Sequence, residues 1–249
     1  MLLFLRPVIL LTAFVLFASS AGAGTDPCGL NRLTLTLESL RFNDGLISQK
    51  DPRFGQAGYL RKEGGLCGPT CIINIVRGVE AETNRTILSG DPVKDLQRIE
   101  RYLQREGESW DIRDGVSPRH LTNYLRELLT AKPDFGVIDV RSVAPGHAFH
   151  FSDLQSSDSA YLLVVYAFNG STRMEGHVIV LMSTKPSGDL VVIDPNRPDR
   201  RMILATSSAI HPVFGTSTLR VAFPSELVRY RDQIQYLDSL IEIRFRPYK

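Results

Sequence analysis

The chain has 249 residues, is 43% hydrophobic and 22% charged, and carries a formal net charge of +2. That balance is ordinary for a globular protein, and the length suits one domain with its own core. No basic stripe or aromatic-interleaved Lys/Arg patch runs along it, so nucleic acid is not an expected partner.

The first 23 residues read as a secretory signal peptide. Arg6 precedes an apolar run over 7–17, and Ala21-Gly22-Ala23 has the small-x-small pattern of a cleavage site. The alternative is a permanent anchor, which Ser19, Ser20 and the glycines dilute. No later segment is long and apolar enough to span a bilayer. The mature chain is therefore expected in an extracellular or periplasmic space, without stable membrane insertion.

Residues 24–64 read as a loop-rich N-terminal arm. Within it Leu33-Thr-Leu-Thr-Leu37 alternates as a strand does. Residues 65–249 then form the main domain. A helix is predicted from Cys67 through Ile72, Ile73, Ile75 and Val76, ending near Gly78. Asp91 caps a second helix, opened by Pro92, with Val93, Leu96, Ile99 and Leu103 on one face. Ser117 and Pro118 open a third, whose face is Leu121, Tyr124, Leu125 and Leu128. From Phe135 the apolar pattern becomes that of strands, over 136–141, 160–168, 177–183, 190–194, 202–205, 219–223 and 240–245. Asn169-Gly170 and Pro186-Ser187-Gly188-Asp189 supply turns. Helices first and strands second predict an α+β fold, a helical part packed against an antiparallel sheet.

The densest chemical feature is Gly64-Gly-Leu-Cys67-Gly-Pro-Thr-Cys71. A cysteine at a helix start meets unpaired N–H groups and the positive end of the helix dipole, which favour the thiolate. The same amides can hold an oxyanion. Gly68 would let a substrate backbone approach, and Pro69 suits the first turn. The structural alternative is a disulfide cysteine. Gly176-His177-Val-Ile-Val-Leu-Met182 places a histidine at the mouth of a strand. A turn over 186–189 then leads to Leu190-Val-Val-Ile-Asp194-Pro-Asn196. If that turn closes a hairpin, two-residue periodicity lets His177, Asp194 and Asn196 share a face. A carboxylate or amide there would fix the imidazole, as a nucleophilic triad requires. A centred turn sets Asn196 more directly opposite His177, so Asn196 is the rival orienter.

Cys67-Gly-Pro-Thr at a helix start, Gly176-His177-Val-Ile-Val later and Val-Ile-Asp194-Pro last resemble the C39-like branch of the papain-like cysteine peptidases. Gly115-Val-Ser-Pro118…Leu121…Leu125 is similar to that family's second helix. The resemblance implies a papain-like fold, no cofactor, and cleavage of peptide or isopeptide bonds in a peptide or protein substrate. Within it Cys67 is the nucleophile, His177 the general base and then acid, and Asp194 the orienter. The same triad serves an acyltransferase, and a papain-like domain without catalysis would be a binding module. One departure stands out. The family's glutamine, an oxyanion donor a short way before the nucleophile, is missing from Tyr59-Leu-Arg-Lys-Glu-Gly-Gly-Leu66, and the nearest upstream glutamine is Gln56.

With Cys67 as that nucleophile, Cys28 and Cys71 are left as a disulfide pair among the chain's three cysteines. A Cys67–Cys71 bridge within one helical turn is geometrically poor. His147 and His150 form a His-x-x-His pair without further ligands, so no metal is expected. His120 and His211 are read as structural. Asn84-Arg-Thr86 and Asn169-Gly-Ser171 match the glycosylation pattern. The run 196–201 is read as a solvated turn, with the lining of a substrate groove as the alternative.

Overall fold

The computed structural model describes residues 32–60, 65–107, 112–131, 133–223 and 235–246. The signal-peptide reading of 1–23 and Cys28 lie outside those residues. What is described is a layer of helices against a curled antiparallel sheet, the α+β arrangement expected from the order of elements.

The arm is not a strand. Helix α1 (Arg32–Phe42) replaces it, because Leu33 and Leu37 are also one helical turn apart. Both are buried, whereas Leu35, the middle residue of the alternation, is 53% exposed. Helix α2 (Pro52–Gln56) is capped by the Asp51 carboxylate, which accepts from the Arg53 amide. Leu33, Leu37, Leu46, Ile47, Phe54 and Tyr59 all join the core beneath the later helices, so the arm is built into the same hydrophobic cluster.

Helix α3 (Cys67–Thr83) continues past Gly78, where the sequence suggested a stop. A Cβ on Gly78 would lie 2.6 Å from Leu33 Cδ1 and 2.9 Å from Leu37 Cδ2. That glycine marks the crossing of α1 over α3, a packing role. The helix ends at Asn84, in the left-handed region with φ of 52°. Helices α4 (Pro92–Arg105) and α5 (Pro118–Thr130) start at the expected caps, with Asp91 accepting from Val93 N and Ser117 from His120 N.

All seven expected strands are present, and most are longer than expected. They are β1 (Val137–Val143), β2 (Ser159–Asn169), β3 (Thr172–Thr184), β4 (Leu190–Asp194), β5 (Arg197–Ile210), β6 (Ser217–Ala222) and β7 (Gln235–Phe245). Their order is β1-β7-β2-β3-β4-β5-β6, and every pairing is antiparallel. The start of β7 also pairs with β6, Val221 opposite Gln235, so six strands curl into a closed circuit with β1 outside it. Leu163, Val165, Ile179, Leu181, Val192 and Leu237 form the inner core of that circuit. Alternate residues, such as Leu162, Val164, Val180 and Ile193, face the helices. Having an apolar layer on both sides explains the near-continuous burial of β2. The solvated turn expected over 196–201 is corrected here. Only Pro195 and Asn196 turn, and from Arg197 onward the chain is β5.

Candidate active site

Cys67 is the first residue of α3, and no side chain caps that end: Leu66, at the N-cap, offers none. A helix start leaves its first amides unpaired. Pro69 has no N–H, Thr70 N bonds Leu66 O at 2.9 Å, and the Gly68 amide turns to the Cys67 sulfur, which leaves the Cys67 amide without a bond to another described residue. Gly68 itself is buried, and a Cβ there would lie 2.7 Å from Leu121 Cδ1. Its lack of a side chain therefore admits α5, not a substrate backbone. Gly65, just upstream, has φ of +113°, and a Cβ on it would sit 1.9 Å from the Arg113 carbonyl oxygen. The two chain segments cross too closely for any other residue, which fixes the path into the helix.

The β3–β4 hairpin forms as expected. Lys185 N bonds Asp189 O at 2.8 Å, and Gly188 turns the chain with φ of +91°. A bulge between Leu181 and Ser183 sets the register beyond it as Val180 opposite Ile193. Continued along the strands, that register puts Asn196 across from His177, with Asp194 on the diagonal. Alternation gives His177 the same side of β3 as Ile179 and gives Asp194 the same side of β4 as Val192. His177 Nε2 and Asp194 Oδ1 are 2.9 Å apart. Asn196 supports this pair instead of replacing Asp194, since its backbone N–H donates to the same Oδ1 at 2.7 Å. An Asp-Pro-Asn turn favours that local bond.

His177 and Cys67 interact electrostatically, each shifting the other's pKa through hydrogen bonding and charge, so thiol, imidazole and carboxylate follow one another. Burial opposes charge on the Cys67 thiol. The hydrogen bond and charge of His177, with the Val178 and Gly68 amides, overcome that and hold its pKa below the ordinary thiol value. Burial likewise opposes the His177 imidazolium, but the Asp194 carboxylate outweighs it and raises the pKa to about 10. Asp194 resists its own burial through the same histidine and the Asn196 amide, and is held below the usual carboxylate range. Both directions favour the thiolate–imidazolium form of the pair over the neutral one.

Cys71 lies one turn further along α3 and is fully buried. Its thiol donates to Val178 O at 3.4 Å. Burial, with the charges of Cys67 and Asp194 nearby, pushes its pKa well up, so it is an inert thiol. Cys67 and Cys71 are both free in the structure. The expected Cys28–Cys71 bridge is thus not seen at Cys71, and Cys28 is outside the described residues.

Gln56 ends α2 and is solvent-exposed. The glutamine bonded into this region is Gln49, which is buried and donates from Nε2 to Asn196 Oδ1 at 2.5 Å. Tyr166 of β2 lies over Gly176, where a Cβ would be 2.4 Å from its ring, and the Cys67 charge helps raise its pKa after burial. Neither residue stands out in the sequence. Asn74 does carry a signal, as the one polar residue within Ile72-Ile73-Asn74-Ile75-Val76. His150 caps a short helical turn (Phe151–Leu154), and His120 Nδ1 lies 2.6 Å from Ser117 Oγ. Among the described residues no group of three or more His, Cys, Asp or Glu could hold a metal ion. Nor is any described helix long and apolar enough to cross a membrane.

No family model matches the chain, and no curated protein matches it.

Proposed function

We propose that this chain is a papain-like thiol hydrolase of the C39-like kind, cleaving peptide or isopeptide bonds with Cys67, His177 and Asp194. The observation that carries the reading is the continuous relay from a helix-start cysteine through a buried imidazole to a carboxylate at 2.9 Å. The Cys67 thiolate attacks the carbonyl carbon, forming C–S while the carbonyl electrons move to oxygen. His177 gives its proton to the leaving nitrogen as C–N breaks, which leaves a thioester. Water then attacks, His177 takes its proton, and C–S breaks to release the acid and restore the thiolate. Asp194 keeps the imidazole in the orientation both steps need. The Cys67 amide is the donor for the oxyanion. An amine in place of water makes the same sequence an acyl transfer. The signal-peptide pattern over 1–23 favours a secreted enzyme, and a free Cys67 is compatible with that when a thiol is catalytic.

A second reading, a binding module of the same fold, is favoured by one observation: no glutamine stands where the family's oxyanion donor would. Alkylation near pH 6, followed by peptide mapping, separates the two. Fast labelling at Cys67 that is lost in His177→Ala, with turnover of a peptide or isopeptide substrate abolished in Cys67→Ala, supports the hydrolase. A Cys67 as slow as an ordinary thiol leaves the binding module.

A further inference from the structure

The segment 47–49 of the arm lies between the nucleophile's helix and the turn after Asp194, and it is bonded to both. On the helix side Asn74, two turns along α3 from Cys67 and 2% exposed, holds the Ile47 backbone in both directions. Ile47 N donates to Asn74 Oδ1 at 2.7 Å, and Asn74 Nδ2 donates to Ile47 O at 2.9 Å. On the turn side Gln49 N donates to Pro195 O at 2.8 Å, and Ser48 Oγ donates to the same oxygen at 3.3 Å. Gln49 Nε2 then reaches Asn196 Oδ1 at 2.5 Å, and Asn196 N reaches Asp194 Oδ1 at 2.7 Å. Asp194 Oδ1 is also the oxygen on His177, which bonds Cys67 at the start of α3. The connections form a ring that leaves α3 at Asn74 and returns to it at Cys67.

Asp194 depends on this ring. Its Oδ1 carries both the imidazole and the Asn196 backbone amide, the Asn196 side chain also acts on the carboxylate, and Oδ2 is buried with no other hydrogen-bond partner among the described residues. The angle of the carboxylate toward His177 is therefore set by where Asn196 sits. Asn196 belongs to a two-residue turn that cannot fix its own position against α3. We propose, resting on the hydrolase reading above, that Gln49 is a positioning residue of the triad, acting through Asn196 on Asp194. Segment 47–49 is then a permanent part of the catalytic framework and not a removable pro-segment.

The test is the pH profile of Cys67 alkylation by iodoacetamide, measured on the full chain as secreted, for wild type, Gln49→Met and Asn196→Ala. Gln49→Met keeps the length and apolar stem but cannot donate, and Asn196→Ala removes the acceptor from a half-buried position. Each is expected to raise the midpoint by roughly half a unit to one unit, a roughly three- to tenfold slower reaction on the acid side. The second variant keeps the test open should the first fail to fold. In an Asp194→Asn background the Gln49→Met shift should vanish, since the effect runs through that carboxylate. A purely structural Gln49 would lower the melting temperature and leave the midpoint alone. The proposal is overturned if wild type reacts fast at acid pH and folded Gln49→Met superimposes on it, whatever Asn196→Ala does, or if the shift survives intact in Asp194→Asn. A wild-type Cys67 that is itself sluggish overturns the hydrolase reading first, a result distinguishable from either.

Discussion

Among the described residues the sheet carries two buried histidine–aspartate pairs, and only one of them looks onto a free thiol. His177 and Asp194 are 2% and 0% exposed, and His211 and Asp238 are 2% and 1% exposed. The ring-to-carboxylate distances are 2.9 Å and 3.3 Å. The difference lies at each ring's other nitrogen and each carboxylate's other neighbours. His211 Nδ1 accepts from the Val213 and Phe214 amides at 3.2 Å and 3.4 Å, and Asp238 is also paired with the Arg173 guanidinium. That ring is closed on both sides and serves the β5–β6 turn. His177 bonds Cys67 instead, and no arginine pairs with Asp194 among the described residues. A buried His–Asp pair by itself therefore marks nothing. What faces the second nitrogen, backbone amides or a thiol, is what tells the two pairs apart.

Removing each ring should break the symmetry most sharply. On the proposed hydrolase reading, His177→Ala is expected to lower turnover by roughly three orders of magnitude or more, since the thiol would lose both its base and its acid. Alkylation of Cys67 near pH 6 should fall roughly a hundredfold, to the rate of an ordinary thiol. His211→Ala should leave that rate within about twofold in the folded protein, yet cost about 2–4 kcal/mol in denaturant unfolding, because two amides lose their acceptor. Equal kinetic losses in the two variants would erase the distinction.

Replacing each carboxylate by its amide is the next test in size. Asp194→Asn keeps the shape but no longer holds the imidazolium, and turnover should fall by roughly two to four orders of magnitude. Asp238→Asn should leave turnover unchanged and lower stability only.

The pH profile sharpens the contrast further. Cys67 has a lowered pKa, so the thiolate is lost only as pH falls through that lowered value. His177 has a raised pKa, so the imidazolium is lost only as pH rises toward about 10. Activity should thus form a broad plateau across neutral pH, with the acid limb below the ordinary thiol range. Asp194→Asn should narrow it from both sides. The same directions govern stability. The His177 contribution is fully present below its ordinary pKa and disappears as pH rises through its raised value. The Asp194 contribution is present above the carboxylate range and disappears as pH falls through its lowered value. Melts of wild type against His177→Ala should converge as pH rises through that raised value.

Much of this contrast is legible in the sequence, and the part that is not has a clear cause. Capping residues and apolar period locate α4, α5 and every strand, because those signals are local. Hairpin logic brings His177 to the Asp194 end for the same reason. The segment 33–37 misleads because a leucine every second residue also satisfies a helix at every fourth, and only packing against Gly78 decides between them. Gly68 and Gly78 suggest local roles in the sequence, although each answers a side chain from another helix. Gln49, far in sequence from both Asn74 and Asn196, has no local signal at all. His211 reads as structural, but its likeness to the His177–Asp194 pair emerges only when Asp238 folds in beside it.

The smallest expected effect concerns Arg173, which separates the two pairs. Its guanidinium pairs with Asp238 and lies 4.3 Å from the Tyr166 ring centre, on the strand next to His177. The arginine side chain is 40% exposed while Asp238 is buried, so the pair is worth little more than a surface bridge plus a modest stacking gain. Arg173→Met should cost about 1 kcal/mol in unfolding. The acid limb of Cys67 alkylation should stay in place, because the charges that set it are those of His177 and, behind it, Asp194. A displaced limb in Arg173→Met would mean that Tyr166 couples the two pairs across β2, and that the turn support and the base are electrically one unit.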